Sequence, residues 1–229
     1  MLFNGRGGFL TLRRLGKLAK IFTKAVVGIS LTATLSYAGF VEGAYNGKGE
    51  KLTPAEKQVV EQIFGDEVDA GKIRKHFKEN SHWTHFLKSK QGTVMPFTHH
   101  VDFFGENIRS ADYGRDDAYK YGFFLHEMTH IWQGANLKYP LKNFGEYEYK
   151  LTPESKFSDF GIEQQGEIIE AYAKAWHHPE GRRQPKTAAD RLLIHVVETR
   201  FPQARITRQR LERQEAQPQL VATVAKPAR

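Results

Sequence analysis

The sequence predicts an α+β domain that is mostly helical. Several segments carry apolar residues at helical spacing, whereas one segment, residues 93–104, is rich in β-forming residues. The chain has 229 residues, of which 40% are hydrophobic and 26% charged, so it can bury one sizeable core. We therefore expect one globular domain over residues 52–200, flanked by end segments.

Composition limits the chemistry that the chain can support. It has no cysteine, which excludes disulfides, thiolate metal sites and cysteine nucleophiles, so a metal site must use His, Asp or Glu. The formal net charge is +8, but much of the basic excess lies near the two ends of the chain. We therefore expect no nucleic-acid partner.

The first 41 residues have the pattern of an export segment. An uncharged stretch, residues 25–41, follows five basic residues and ends near the small residues Ser36 and Ala38. This pattern predicts either a signal peptide cleaved after Ala38 or a retained anchor of about 17 apolar residues that contacts the membrane. A buried helix of the domain is the third interpretation. We expect the protein to be exported from the cytoplasm. It is then periplasmic or secreted, or alternatively anchored in the inner membrane and facing the periplasm.

The next elements follow from local signals. Residues 42–51 are rich in Gly, Asn and Lys and predict a linker. Thr53, Pro54 and Glu56 then predict the start of a helix that runs to Phe64 and ends at Gly65.

A turn over residues 66–71 is followed by a predicted helical segment through His85. In residues 93–104, Pro96 cannot donate a hydrogen bond to a ladder, which favours an edge strand. Beside a peptidase site, an edge strand can pair with an extended substrate.

Three further helices are predicted. The first begins near Asp116 and Asp117 and stops at Gly134, with an apolar stripe that we expect in the core. This stripe consists of Tyr121, Phe124, Leu125, Met128, Ile131 and Trp132. Gly122 lies one turn before His126, where we expect a side chain to crowd the metal side; the alternative is a glycine that the helix merely tolerates. The other two helices cover residues 161–178 and 187–201, and the basic tail, residues 201–229, is expected to be partly disordered.

Residues 126–130 read His-Glu-Met-Thr-His and match H-E-x-x-H within the first of these helices. Positions i and i+4 lie on one helix face, so His126 and His130 can bind one zinc ion while Glu127 acts as the general base on a water. A catalytic zinc site needs a third protein ligand. The pattern HExxHxxGxxH is absent, because Gln133 and Asn136 occupy the required Gly and His positions.

A glutamate from the following helix is the remaining source of the third ligand. In glutamate-zincins, the ligand glutamate is commonly followed four residues later by an acid that hydrogen-bonds a zinc histidine. Glu163 and Glu167 have this spacing, so we predict Glu163 as the ligand and Glu167 behind a histidine, with the reverse as the alternative. Without the zinc motif, Glu163, Glu167 and Glu170 would be interpreted as a solvated acidic face.

The donor that stabilises the oxyanion cannot be ranked from the sequence. The candidates are Tyr147, Tyr149, Tyr172, His99, His100 and His178. His82 and His85 are spaced at i and i+3 and are interpreted as incidental.

Four segments together resemble a family of small bacterial zinc metallopeptidases. They are LTPAEK at 52–57, IFGDEVD at 63–69, FLHEMTHIWQG at 124–134 and GIEQQGEIIEAY at 161–172. The family occurs as Vgr-related proteins and as C-terminal effector domains of type VI secretion spike proteins. The resemblance covers residues 52–178. It implies a zincin-like fold with an active-site helix, an edge strand and a downstream glutamate helix, and it implies action in the periplasm.

The expected function is zinc-dependent hydrolysis of amide bonds in proteins or peptides of the bacterial envelope, peptidoglycan peptides included. For spike-borne members the resemblance implies toxicity to competing bacteria, with an immunity protein and a secretion spike as partners. The 229 residues contain no spike domain, so the resemblance supports the chemistry more directly than the toxin role. The alternative is a non-catalytic envelope protein in which zinc only braces two helices.

Overall fold

The computed structural model describes residues 45, 48–78, 92–94, 98–136, 146–181, 185 and 187–224. Within these residues the chain forms five α-helices and four short strands. The helices are α1 Pro54–Phe64, α2 Ala118–Ala135, α3 Ile162–Trp176, α4 Ala188–Arg200 and α5 Pro202–Val224. The strands are β1 Glu50–Lys51, β2 Arg74–Lys78, β3 Gly92–Val94 and β4 His100–Phe104. The prediction of a mostly helical α+β fold is confirmed.

The four strands form one sheet in the order β1-β2-β4-β3. β2 and β4 are parallel, with Arg74 opposite His100, and the two outer strands pair antiparallel to them. β1 lies within the predicted linker, residues 42–51, so part of that segment belongs to the sheet. The side chain of Tyr45 lies against the sheet as well, because its hydroxyl hydrogen-bonds the Asp102 carboxylate at 2.9 Å.

The predicted helix through His85 is wrong over residues 74–78, which form β2. The charged sequence of this segment resembles an exposed helix, but Lys75 is only 1% exposed. Its ammonium nitrogen lies 2.6 Å from the Glu56 carboxylate of α1. A buried ion pair and a parallel neighbour strand are tertiary interactions that outweigh local propensity. His82 and His85 lie outside the described residues.

The single strand predicted over residues 93–104 is two strands, β3 and β4. β3 is at the edge of the sheet, as predicted, whereas β4 lies inside it and is buried along its whole length. Pro96 falls between them, outside the described residues.

The start of α1 follows the predicted capping pattern. The Thr53 hydroxyl accepts a hydrogen bond from the Glu56 backbone N–H at 3.1 Å, and the Glu56 carboxylate accepts one from the Thr53 N–H at 2.8 Å. Gly65 ends the helix at a positive φ of 56°, which L residues rarely adopt. The inner face of α1 places Val59, Val60 and Ile63 in the core.

α2 begins after Asp117, whose carboxylate accepts hydrogen bonds from the N–H groups of Tyr119 and Lys120. All six residues of the predicted apolar stripe are buried. α2 packs along α3, which begins after Gly161 as predicted. This pair of helices positions the candidate site.

The sequence predicts a partly disordered tail over residues 201–229, whereas the described part of that segment, Pro202–Val224, forms α5. Its buried residues recur at helical spacing, namely Ala204, Thr207 and Leu211, and continue from the buried Phe201 that precedes the helix. Ala and Thr give a weak apolar signal in sequence, which is why the period was missed. α5 packs against α1 and α4, and α4 has the predicted capping box of Thr187 and Asp190.

In the part of the chain that the structure describes, no helix combines the length and apolarity needed to cross a membrane. The predicted signal peptide or anchor, residues 1–41, lies outside that part.

Candidate metal centre

The pairing of α2 with α3 brings together the three predicted metal ligands. The Nε2 atoms of His126 and His130 lie 3.4 Å and 3.6 Å from the same carboxylate oxygen of Glu163. One ligand atom from each residue lies within 4.8 Å of the others. The three side chains therefore converge on one point between the two helices.

This geometry fits a zinc ion. Ligands about 2.0–2.1 Å from a tetrahedral zinc are about 3.3 Å from one another, which is close to the two nitrogen–oxygen distances found here. Two imidazoles and one carboxylate also form a donor set typical of catalytic zinc sites, where a fourth position is left open. Glu163 is thus better placed than Glu167 as the carboxylate that faces both histidines.

Glu127 lies beside the convergence point and is 4% exposed. Its Oε2 atom is buried and has no hydrogen-bond partner among the described residues. Buried polar atoms are nearly always paired, so an unpaired carboxylate oxygen at this position indicates a group or molecule that the site is built to receive. Burial raises the pKa of Glu127, although His130 and His126 act in the opposite direction.

Without a metal, protonation of the histidines lets them pair with the glutamates of the cluster. Burial lowers the pKa of His126, but the adjacent carboxylates of Glu163 and Glu170 outweigh that effect and raise the pKa to about 10. Burial raises the pKa of Glu163, but the adjacent imidazoles of His126 and His130 outweigh that effect and lower it. The charged forms of these groups stabilise one another at neutral pH.

Two acids of α3 lie behind His126, and Glu170 is the nearer of them. The Nδ1 atom of His126 lies 3.6 Å from Glu170 but 4.0 Å from Glu167. Glu170 follows Glu163 by about two helical turns and so lies on the same face of α3. Its carboxylate is also bound by the Lys174 ammonium group at 2.8 Å. Glu167, which the sequence predicts behind a zinc histidine, is thus the more distant of the two acids.

The glycine that makes room for the site is Gly166 rather than Gly122. A Cβ atom on Gly166 would lie 2.6 Å from the His126 ring, so α3 can approach this closely only without a side chain there. A Cβ atom on Gly122 would instead meet Lys174 and Glu170. Gly122 therefore leaves room for the α3 side chains that support His126, and not for the metal side.

Of the six predicted oxyanion donors, Tyr147 is the one placed at the site. Its pKa is raised by burial and by Glu163, with which its hydroxyl hydrogen-bonds, and the nearby Glu127 adds to the effect. Burial, Glu167 and Glu170 raise the pKa of Tyr149 to about 12, which places it farther along α3.

The other donors have partners elsewhere. Tyr172 donates to the Glu198 carboxylate at 2.8 Å, and His178 lies 2.9 Å from the Asp116 carbonyl. His100 lies 2.8 Å from His76 on the sheet, and its neighbour His99 adjoins the start of β2.

The sequence is similar to that of a known protein. In an alignment 162 residues long that covers 65% of this chain, the sequence is 30% identical to the type VI secretion system spike protein VgrG2b of Pseudomonas aeruginosa. The aligned part spans only 15% of that protein. No family model matches the chain.

A solved structure of the effector domain of Pseudomonas aeruginosa VgrG2b is also similar. It matches with 27% identity and a TM-score of 0.49, covering 72% of this chain and 95% of that domain. The sequence similarity to the spike protein confirms the predicted resemblance to Vgr-related proteins.

Proposed function

We propose that this chain is a zinc-dependent peptidase of the bacterial envelope that is related to type VI secretion effectors. The observation that carries the proposal is the convergence of His126, His130 and Glu163 beside the buried Oε2 atom of Glu127, which has no hydrogen-bond partner among the described residues. A zinc ion that only braced two helices would have a closed set of ligands and no use for such a carboxylate. The sequence similarity to a spike protein supports the effector relationship.

His126, His130 and Glu163 would hold the metal. When bound, zinc supplies Lewis acidity, which polarises a substrate carbonyl and makes a water easier to deprotonate near neutral pH. The supporting observation is the geometry of the three ligand atoms, which lie within 4.8 Å of one another.

Glu127 acts as the general base and then as the general acid. Its Oε2 atom has no competing partner in the described structure, and burial raises its pKa toward the range where a carboxylate accepts a proton readily. It takes the proton from the attacking water and passes it to the leaving amine. Tyr147, whose hydroxyl adjoins Glu163, is the donor best placed to stabilise the oxyanion.

The substrate is an amide of a protein or peptide, with peptides of the cell envelope as the class we propose. β3 ends the sheet among the described strands and packs against α2, so an extended peptide backbone can pair with it beside the site. The chain would reach the envelope either through residues 1–41 or with a secretion spike, and an immunity protein is the partner expected of an effector.

The test is cleavage of a peptide library, with peptidoglycan peptides included, by purified protein loaded with one equivalent of zinc. We expect specific cleavage that a chelator abolishes and added zinc restores. Zinc-loaded protein that cleaves no peptide, yet loses thermal stability when the metal is removed, would instead identify a structural site.

A further inference from the structure

Two buried glutamines connect His130 to the protein backbone. Gln133 is 0% exposed and lies one turn after His130 on α2, whereas Gln165 is 3% exposed and lies on α3. The Oε1 atom of Gln133 lies 2.8 Å from Nδ1 of His130, and its Nε2 atom lies 2.9 Å from Oε1 of Gln165. These contacts form a continuous chain from the imidazole to α3.

The backbone fixes the direction of every hydrogen bond in this chain. A carbonyl oxygen can only accept, so Nε2 of Gln165 donates both of its hydrogens to the carbonyls of Phe157 and Phe160, at 3.2 and 3.1 Å. Its Oε1 atom is then the acceptor for Gln133. Nε2 of Gln133 donates its second hydrogen to the Ile162 carbonyl at 3.0 Å.

The only group of Gln133 left for His130 is therefore an acceptor. Its Oε1 atom can pair with Nδ1 of His130 only if that nitrogen carries the hydrogen. The lone pair of the neutral imidazole is then on Nε2, the atom that lies 3.6 Å from Glu163. Exchanging the oxygen and nitrogen positions of either side-chain amide would place its oxygen against two carbonyl oxygens, which cannot donate a hydrogen bond.

We propose that Gln133 and Gln165 are positioning residues that hold His130 in the Nδ1–H tautomer and offer its Nε2 to the metal. This inference rests on the proposed zinc role of His130. The two histidines are thus supported differently, because a charged pair of Glu170 and Lys174 lies behind His126 and neutral amides lie behind His130. A neutral acceptor fixes the ring without adding a further negative charge beside Glu127 and Glu163.

The test compares variants of Gln133 in the full chain, with zinc alone as the probe. Gln133→Leu removes the acceptor, and we expect zinc affinity to fall by about 10–100-fold. In the zinc-loaded protein, the slowly exchanging Nδ1–H signal of His130 should be lost from long-range ¹⁵N–¹H spectra. Gln133→Glu keeps an acceptor oxygen, so it should retain that signal and most of the affinity even where it lowers thermal stability.

Gln164→Leu is the matched control. It also removes a buried amide of α3, one that bonds the Gly161 N–H and the Glu148 carbonyl. It should lower stability without changing the His130 signal or zinc affinity. If Gln133→Leu does not fold, Gln165→Leu gives the same comparison with a smaller expected loss, because Gln133 then keeps its bond to the Ile162 carbonyl.

The outcomes separate this inference from the proposed function. If the unaltered chain binds zinc and His130→Ala releases it, but Gln133→Leu keeps both the affinity and the Nδ1–H signal, the positioning role is refuted and the zinc site stands. If the unaltered chain binds no zinc, both proposals fall.

Discussion

The environment of Glu127 supports the proposed role of this residue in catalysis. A buried carboxylate oxygen without a hydrogen bond is costly, so its persistence at the convergence of two helices argues for a role in function rather than in stability. The neighbouring imidazoles offset part of that cost by favouring the ionised form. Replacement of this carboxylate should therefore separate catalysis from metal binding.

Glu127→Gln keeps the volume of the side chain and removes its basicity. We expect zinc to remain at about one ion per chain while kcat for peptide hydrolysis falls by on the order of 10² or more. Metal content by mass spectrometry and initial rates on one cleaved peptide measure the two effects. Glu154→Gln, an exposed change outside the site, is the control. An unaltered kcat in Glu127→Gln would exclude the proposed mechanism.

The loss of zinc affinity on replacing Glu163, Glu167 or Glu170 should follow the distance of each carboxylate from the imidazoles. Glu163→Ala removes the proposed ligand and should abolish stoichiometric zinc binding. Glu170→Ala should weaken binding by about 10–100-fold, because it leaves Nδ1 of His126 without its nearer carboxylate. Glu167→Ala should have the smallest effect. Competition with a chromophoric chelator gives the three affinities, and a larger loss for Glu167→Ala than for Glu163→Ala would make Glu167 the ligand.

Zinc binding should release protons. In the metal-free chain the pKa of His126 is about 10, so the ring is protonated at pH 7, whereas a metal ligand must be neutral. The proton and the metal compete, so the apparent zinc affinity should rise between pH 6 and 8, by about tenfold per pH unit for each proton released. Calorimetry in two buffers of different ionisation enthalpy counts these protons. A binding heat that is the same in both buffers would contradict the expectation.

At the scale of elements, the site depends on how closely α2 and α3 approach each other. Gly166 sets that approach, because any side chain there meets the ring of His126. A glycine inside a helix destabilises it by about 1 kcal/mol relative to Ala. At position 166 this loss is offset by the close packing of α3 against His126.

Gly166→Ala should therefore weaken zinc binding by tenfold or more, despite the higher helix propensity of Ala, because its Cβ atom would displace the imidazole. Gly122→Ala is the matched control on the other helix. Its Cβ atom meets the flexible stem of Lys174, which can move aside, so the loss of affinity should be smaller. Equal affinities for both variants and the unaltered chain would show that the helix spacing does not limit the site.

The sequence predicts those elements that local rules control. The capping box at Thr53, the start of α2 after Asp117 and the pattern at residues 126–130 each depend on neighbours within one or two turns. β2 was missed because Lys75 is buried by a partner 19 positions away in the chain. Glu170 was missed for a related reason, since only the packing angle of α3 on α2 decides which acid of the stripe meets Nδ1 of His126.

At the scale of the whole molecule, α5 completes the packed body. Arg208 on α5 hydrogen-bonds the buried carboxylate of Glu198 on α4, which also accepts a hydrogen bond from Tyr172 of α3. The three helices therefore share one buried charged group. These hydrogen bonds do not involve the proposed metal ligands. Stability and metal binding can be perturbed separately.

Arg208→Ala should lower the free energy of unfolding by about 3–5 kcal/mol, because it leaves Glu198 buried without its cation. Thermal and urea unfolding of the metal-free protein measure the loss. Arg205→Ala removes an exposed arginine from the same helix and should change stability by less than about 0.5 kcal/mol. Zinc affinity at a temperature where both variants are folded should be unchanged. Equal stability of the two variants would show that α5 is not part of the cooperative unit.

Because the proposed ligands lie on two separate helices, the metal site forms only when the protein folds. His126 and His130 come from α2 and Glu163 comes from α3, so an unfolded chain has no assembled site, and the proposed metal would bind only during or after the docking of the two helices. A chain that crosses a membrane unfolded would leave the cytoplasm without its ion. It would become competent only where it folds, so the zinc supply of the destination compartment would decide when activity begins.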